Sequence, residues 1–308
     1  MHVPEELQTL LAHYPVVTPL IVRWGEMDLN DHVNNVAYLR WVEEGRMDYL
    51  GRIDFDDFSG RQPAPILAES HCKYIIPLTY PDTVYIGTRV RELGADRFVL
   101  ETAIVSARHK RLAAVADALM VVYDYRERKK IDATASLVEA ISRLEGGQPG
   151  GLRTAGGPRL RPLPLEQYPV RIQIPTQWAH LDAAGHVNNT HHLRWGESGR
   201  VAYLLALEPD GWPQEGQTIG PILAKLHTRY FAPVHFPDTV EVGTRCTDFA
   251  EGRFAMESVL VSAKSGRPAA LVRGEIVYYD YQKLVKAPLP EGYVERVHAF
   301  EAACLAGA

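Results

Sequence analysis

The sequence is short of cysteine, of long apolar runs and of excess positive charge, and each shortage removes a class of function. Its three cysteines, Cys72, Cys246 and Cys304, lie far apart and show no paired metal-ligand spacing. A disulfide framework or a zinc ribbon is therefore not indicated, and reduced thiols in a cytosolic protein are expected. No apolar stretch reaches the roughly 18 residues of a membrane span. The opening Met1 to Leu11 carries Glu5 and Glu6 and lacks the basic start and apolar run of a signal peptide. A net charge of −5 leaves no electrostatic footprint for nucleic acid. The Gly-x-Ser-x-Gly signature of a serine nucleophile is missing. These absences lead us to expect a cytoplasmic chain with no nucleic-acid partner and no membrane.

What is present is ordinary in bulk and unusual in arrangement. Hydrophobic residues make up 46% and charged residues 23% of 308 positions, the balance of soluble domains with conventional cores. That length suggests about two domains of roughly 150 residues. Within it a polar cluster is written twice. Asp28-Leu29-Asn30-Asp31-His32-Val33-Asn34-Asn35 returns as Asp182-Ala183-Ala184-Gly185-His186-Val187-Asn188-Asn189. Tyr14-Pro15-Val16 likewise matches Tyr168-Pro169-Val170, and Leu39-Arg40-Trp41 matches Leu193-Arg194-Trp195, at the same offset. Farther on, Pro65-Ile66-Leu67-Ala68 pairs with Pro221-Ile222-Leu223-Ala224 and Pro81-Asp82-Thr83-Val84 with Pro237-Asp238-Thr239-Val240. The second copy has gained two residues near Pro209-Asp210-Gly211, a turn-like spot. The chain is thus a tandem repeat of one domain.

Each copy predicts the same elements. Val16 to Trp24 is β-rich, with Asp28 expected at the end of that strand. From Asn34 the pattern becomes helical, with Ala37, Trp41, Gly45 and Tyr49 on one face. A mid-helix glycine costs about 1 kcal/mol relative to alanine, which makes sense if that face lies close against a sheet. Four strands follow, Ile66–Ile76, Thr83–Leu93, Phe98–Ala107 and Leu112–Tyr125, separated by turns short enough to require antiparallel pairing. The fold class is α+β, one long helix across an antiparallel sheet of about five strands in each repeat. Domain 1 spans 14–130, a helix and Gly/Pro/Arg-rich linker 131–166, domain 2 167–285, and a C-terminal helix 286–308.

A turn between Asp28 and His32 would bring both side chains, with Asn30, to the mouth of the long helix. One reading is that Asp31 or Asn34 merely caps that helix. More polar residues are present than a cap needs, however, and a helix N-terminus supplies N–H groups and partial positive charge for an oxyanion. An ionised aspartate can serve as general base on water or attack an acyl carbon. His32 can orient water or shuttle a proton, while Asn30 and Asn34 hold the water or the carbonyl. These parts suit acyl transfer to water. Asp28 and His32 could also ligate a metal, but nothing nearby completes a site, so no metal is expected.

The run Arg23-Trp24-Gly25-Glu26-Met27-Asp28, His32-Val33-Asn34-Asn35, Tyr38-Leu39-Arg40-Trp41 and Glu43-Glu44-Gly45-Arg46 resembles hotdog-fold thioesterases of the 4-hydroxybenzoyl-CoA thioesterase and YbgC-like group. The resemblance covers nearly all of both repeats. It implies a double hotdog, an intrachain pseudo-dimer with active sites where two domains pair, and leaves room for homo-oligomers. It also places the catalytic carboxylate on Asp28 and Asp182. The family's first acid falls on Glu26 in repeat one and on His180 in repeat two. The same run resembles plant acyl-ACP thioesterases, whose functional Asp, Asn and His fall on Asp28, Asn30 and His32, with His186 in the second copy. Repeat two has Ala184 in place of Asn30. Asn34, Asn188 and the matched strand histidines His71 and His227 are candidates for substrate binding.

The resulting expectation is hydrolysis of an acyl-CoA or acyl-ACP thioester to acid and thiol, with no cofactor beyond coenzyme A as part of the substrate. Two alternatives stand beside it. A hotdog enoyl-CoA hydratase or dehydratase also uses Asp and His, but in a run with a proline and one more residue between them. A non-catalytic acyl-CoA-binding module is kept open by the loss of Asn30's counterpart.

Overall fold

The computed structural model describes residues 3–57, 62–153, 160–208 and 218–307. Two compact units divide the chain, Met1–Gly157 and Pro158–Ala308. The site of the two-residue insertion, Pro209-Asp210-Gly211, lies outside the described residues.

The first unit opens with a short helix, α1 (Glu5–Leu11), that sequence periodicity did not single out. It buries Leu7 and Leu11 against Tyr85 and Val105. Strand β1 (Val16–Ile21) follows, then a single 3₁₀ turn, then the long helix α2 (Asn35–Arg52). Strands β2 (Ala64–Tyr74), β3 (Thr83–Leu93), β4 (Arg97–Ser106) and β5 (Arg111–Asp124) complete an antiparallel sheet in the order β1-β3-β4-β5-β2. A two-residue β6 (Lys129–Lys130) folds back onto β5 as a hairpin. Helix α3 (Ala135–Glu145) is capped by Thr134 and stopped by Gly146 in the left-handed conformation, the residue type that tolerates it. Part of the expected linker is not loose, because β7 (Gly150–Gly151) pairs with the end of β3.

Helix α2 crosses the sheet through the face anticipated from its spacing. Ala37, Trp41, Gly45 and Tyr49 are all buried. A Cβ on Gly45 would lie 2.7 Å from both Ile86 Cγ2 and Thr88 Oγ1. Glycine at that position is what lets the helix approach β3, and the contact offsets its poor helix propensity.

The second unit repeats the plan with β8 (Val170–Pro175), a 3₁₀ turn, α4 (Asn189–Leu207), β9 (Ile219–Tyr230), β10 (Thr239–Ala250), β11 (Arg253–Ser262), β12 (Pro268–Asp280), a short β13 (Val285–Ala287) and α5 (Tyr293–Ala306). Its strand order is β8-β10-β11-β12-β9, the same as in the first unit. Gly199 reproduces the close approach, with Thr244 Oγ1 and Val242 Cγ1 at 2.5 and 2.8 Å from a notional Cβ.

Each C-terminal helix is pinned by one glutamate. Glu145 accepts hydrogen bonds from the Tyr49 hydroxyl at 2.6 Å and from the Val90 N–H at 2.7 Å, both on Oε1. Glu301 does the same for Tyr203 at 2.8 Å and the Cys246 N–H at 2.7 Å. All three cysteines are free thiols. No described helix is long and apolar enough to cross a membrane.

Candidate active site

Between β1 and α2 the chain builds a small closed turn, and the expectation that Asp28 ends the first strand is corrected there. β1 stops at Ile21, and the 3₁₀ turn Trp24–Glu26 intervenes. Glu26 organises that turn from inside. Its buried carboxylate accepts the Arg23 N–H at 2.8 Å and the Trp41 Nε1–H at 3.2 Å, with the Arg40 guanidinium 3.7 Å away. Trp41 is accordingly a core side chain that anchors the approach to the site. Met27 then bridges to Val33.

The five residues Asp28 to His32 form a loop closed by the Asp28 N–H donating to the His32 carbonyl at 2.8 Å. Asp28 Oδ1 accepts the Asn30 N–H at 2.9 Å, an Asx turn that fixes the carboxylate relative to the backbone. Asp31 takes a left-handed φ of 56°, one of the few side chains that do so at modest cost. Two further bonds seat the loop on the fold, Val33 N–H to the Leu78 carbonyl and Asn34 N–H to the Glu26 carbonyl. Asn34 caps α2, its Oδ1 accepting the Val36 N–H at 2.9 Å. The capping reading therefore holds for Asn34, while Asp28, Asn30 and His32 are gathered just ahead of the cap. His32 is half-buried, and burial holds its pKa below the ordinary value against the opposing pull of Asp28 and Asp31.

Repeat two builds the same turn from different residues. Asp182 N–H donates to the His186 carbonyl at 2.8 Å, and Asp182 Oδ1 accepts the N–H groups of Ala184 and His186 at 2.9 and 3.3 Å. Gly185 stands where Asp31 does, at φ 75°. Asn188 caps α4 through its Oδ1, which takes the Thr190 N–H at 2.8 Å and hydroxyl at 2.6 Å. His180 replaces Glu26, and its Nδ1 accepts the Gln177 N–H at 3.0 Å. Asp182 is exposed where Asp28 is half-buried.

The family model described as the Thioesterase-like superfamily matches residues 22–141 and again residues 176–297. The chain belongs to the Thioesterase-like superfamily. Both matches contain a complete Asp-to-His turn, its helix and the four long strands that follow it. Escherichia coli FadM, a long-chain acyl-CoA thioesterase, is 25% identical over 128 residues, which is 41% of this chain and 97% of that protein. The 12:0-ACP thioesterase of Umbellularia californica superposes with a TM-score of 0.68 at 12% identity, covering 85% of this chain and 96% of that one. An acyl-ACP thioesterase from Bacteroides thetaiotaomicron gives 0.61 at 12% identity, covering 85% and 96%. At those identities the likeness speaks for the fold. The chain is a thioesterase-superfamily enzyme built as a tandem double hotdog.

The remaining candidates of this thioesterase-like chain stand on strands. His71 lies on β2, its Nε2 3.4 Å from Glu69 Oε1. His227 lies on β9, opposite Arg273 of β12. Both strands reach the mouth of their helix, because Tyr74 and Tyr230 donate their hydroxyls to the carbonyls of Asn35 and Asn189 at 3.1 and 3.4 Å. Two clefts in the second unit lie elsewhere. One of about 410 Å³ is lined by Thr218, Ile219, Tyr278 and Pro288 to Pro290, and one of about 300 Å³ by residues around Asp248 and Arg273. Neither involves the candidate turns.

Sequence reasoning missed a group of histidines in repeat two. His191 and His192 occupy the places of Ala37 and Tyr38. The His191 ring lies 4.3 Å from His180, and His192 packs 5.4 Å from Trp195 and 5.6 Å from Tyr230. Desolvation pushes the pKa of both down to about 4. His235 lies with its ring 4.9 Å from His186. The available signal was compositional, since five of the 12 histidines crowd into 180–192 and 235.

Proposed function

We propose that the chain hydrolyses acyl-CoA or acyl-ACP thioesters to a carboxylic acid and a free thiol, with Asp28 and Asp182 as the catalytic carboxylates. The observation that carries the reading is the turn itself. Twice, ahead of a buried helix, an aspartate is clamped by its own Asx turn and closed by a backbone bond to a histidine four residues on. FadM acts on long-chain acyl-CoA and the plant relative on 12:0-ACP, which supports a fatty-acyl thioester without choosing the carrier.

In this reading the aspartate takes a proton from water as the water oxygen attacks the thioester carbonyl. The carbonyl π electrons move to oxygen, where the partial positive charge at the start of the helix offsets the developing negative charge. Collapse breaks the C–S bond, and the thiolate leaves with the proton returned from the carboxylic acid. Direct attack by the carboxylate, through a mixed anhydride that water then cleaves, uses the same residues. His32 and His186, whose pKa burial holds below the ordinary imidazole value, orient water, and Asn30 assists in the first turn. Asn34 and Asn188 are assigned to the substrate by their place at the helix mouth, and His71 and His227 by their matched positions on β2 and β9. A thioester carbonyl is electrophilic enough that no redox group or Lewis acid is required.

Thiol release from a panel of acyl-CoA and acyl-ACP substrates, compared for the wild type and the Asp28→Asn, Asp182→Asn double variant, tests the assignment. The double variant is expected to fold normally and lose turnover by about 100-fold or more. Undiminished turnover would leave the aspartates without a catalytic role. Loss of crotonyl-CoA absorbance without thiol release would instead support a hydratase.

A further inference from the structure

The second turn has one amide fewer than the first, Ala184 standing where Asn30 does, and a ring has come in from another element. The Val187 N–H donates to the Val234 carbonyl at 2.8 Å, which ties the loop after β9 to the turn. The next residue on that loop is His235. Its imidazole meets that of His186 edge to face, with centroids 4.9 Å apart and planes at 64°, the arrangement aromatic rings favour. Repeat one has the same tether, Val33 N–H to the Leu78 carbonyl. There the following residue is Thr79, whose Oγ1 accepts from Arg108 Nη1 at 3.0 Å. The tether is shared by both repeats, and the imidazole on it belongs to repeat two.

His235 is exposed, so its ring adds little to the core. What it can change is the ring it touches. His186 is half-buried between Asp182, on its own turn, and His235, on the facing loop. A carboxylate beside an imidazole favours the imidazolium, and a second imidazole disfavours it. Asp182 Oδ1 already takes two N–H groups, which disperses part of its charge. Burial and His235 together hold His186 below its ordinary pKa, against Asp182.

We propose that His235 is a positioning residue of the second site, acting through the His186 ring to keep it oriented and neutral for water. This rests on the hydrolytic reading of the Asp182 turn. It makes the second site an Asp-His-His arrangement with its own pH range, distinct from the Asp-Asn-His arrangement of the first.

The test uses the full-length Asp28→Asn protein, so that turnover reports the second site, with His235→Thr and His235→Lys added separately. Two readouts are taken between about pH 5 and 8. One is the titration of the His186 ring by NMR of ¹³C-labelled histidine, and the other is kcat/KM for acyl-CoA hydrolysis. Unit charges about 5 Å apart in a water-like dielectric shift a midpoint by roughly half a pH unit. His235→Thr is therefore expected to raise the His186 midpoint by about that much, and the acid limb of kcat/KM should move up with it. His235→Lys, which places a cation on the loop without the ring, is expected to bring the midpoint back down while lowering the plateau rate. A midpoint that stays put, or one that moves while the acid limb does not, overturns the proposal. If Asp28→Asn is no faster than the double aspartate variant, the hydrolytic reading of the second turn falls, and the positioning role falls with it. The NMR arm distinguishes that failure, because it reports ring coupling without turnover.

Discussion

The two turns share a backbone and differ in surroundings. In the first, a half-buried Asp28 is accompanied by Asn30, and the buried acid Glu26 holds the preceding 3₁₀ turn. In the second, an exposed Asp182 is accompanied by Ala184, and imidazoles replace Glu26, Ala37 and Tyr38. The hydrogen bonds that shape the loop, Asp N–H to His carbonyl and Asp Oδ1 to the N–H two residues on, survive all of these changes. The difference teaches that the loop geometry is set by the aspartate and the backbone. The residues around it are free to set polarity and proton affinity.

The largest effect that would sharpen this contrast is on rate. Asp28→Asn is expected to remove most acyl-thioester turnover, about 100-fold from its site, and Asp182→Asn a smaller share, measured as thiol release by each single variant. Equal losses would show that Ala184 costs the second site nothing.

Stability under acid should separate the units next. The His192 pKa is about 4 in the folded protein and near 6.5 in an unfolded chain. The unfolded state therefore binds the extra proton, and the stability of the second unit is fully present above about pH 6.5. It falls as pH drops from 6.5 toward 4 and levels off below. For a side chain this buried, the loss is on the order of 3 kcal/mol. His192→Tyr, which installs the residue of repeat one, should flatten the pH dependence of the second unit's melting.

The close helix crossings predict similar losses in both repeats. Gly45→Ala and Gly199→Ala each force a Cβ into side chains at 2.5–2.8 Å, expected to cost about 1–3 kcal/mol in chemical denaturation. A markedly cheaper change in one repeat would show that its helix can shift. The smallest effect is at the left-handed position. Gly185→Ala should cost about 1 kcal/mol, whereas Asp31→Gly should be close to neutral, as read from denaturation midpoints.

Much of the fold was legible because the pattern was written twice. The helix face Ala37, Trp41, Gly45, Tyr49 and the four strands after it appear where spacing put them, since apolar periodicity and turn residues carry that information locally. The helix α1 was not legible, being seven residues long with two buried positions. The strand end at Ile21 was misplaced because Trp24–Glu26 closes through the Glu26 carboxylate, a contact that strand periodicity does not encode. In the site, the Asp-to-His turn was visible as a repeated cluster. His235 was not, because its partner lies 49 positions away in sequence and meets it through a backbone tether.

The glutamates that pin the C-terminal helices bear on how the protein can be cut down. Trimming a repeat at residue 130 or 285, where its last long strand is finished, would discard Glu145 or Glu301. The phenol of Tyr49 or Tyr203 and a strand amide would then lose their shared acceptor, and the apolar residues that the helix covers would face water. A workable single-repeat fragment must therefore keep its closing helix, even though that helix carries none of the chemistry.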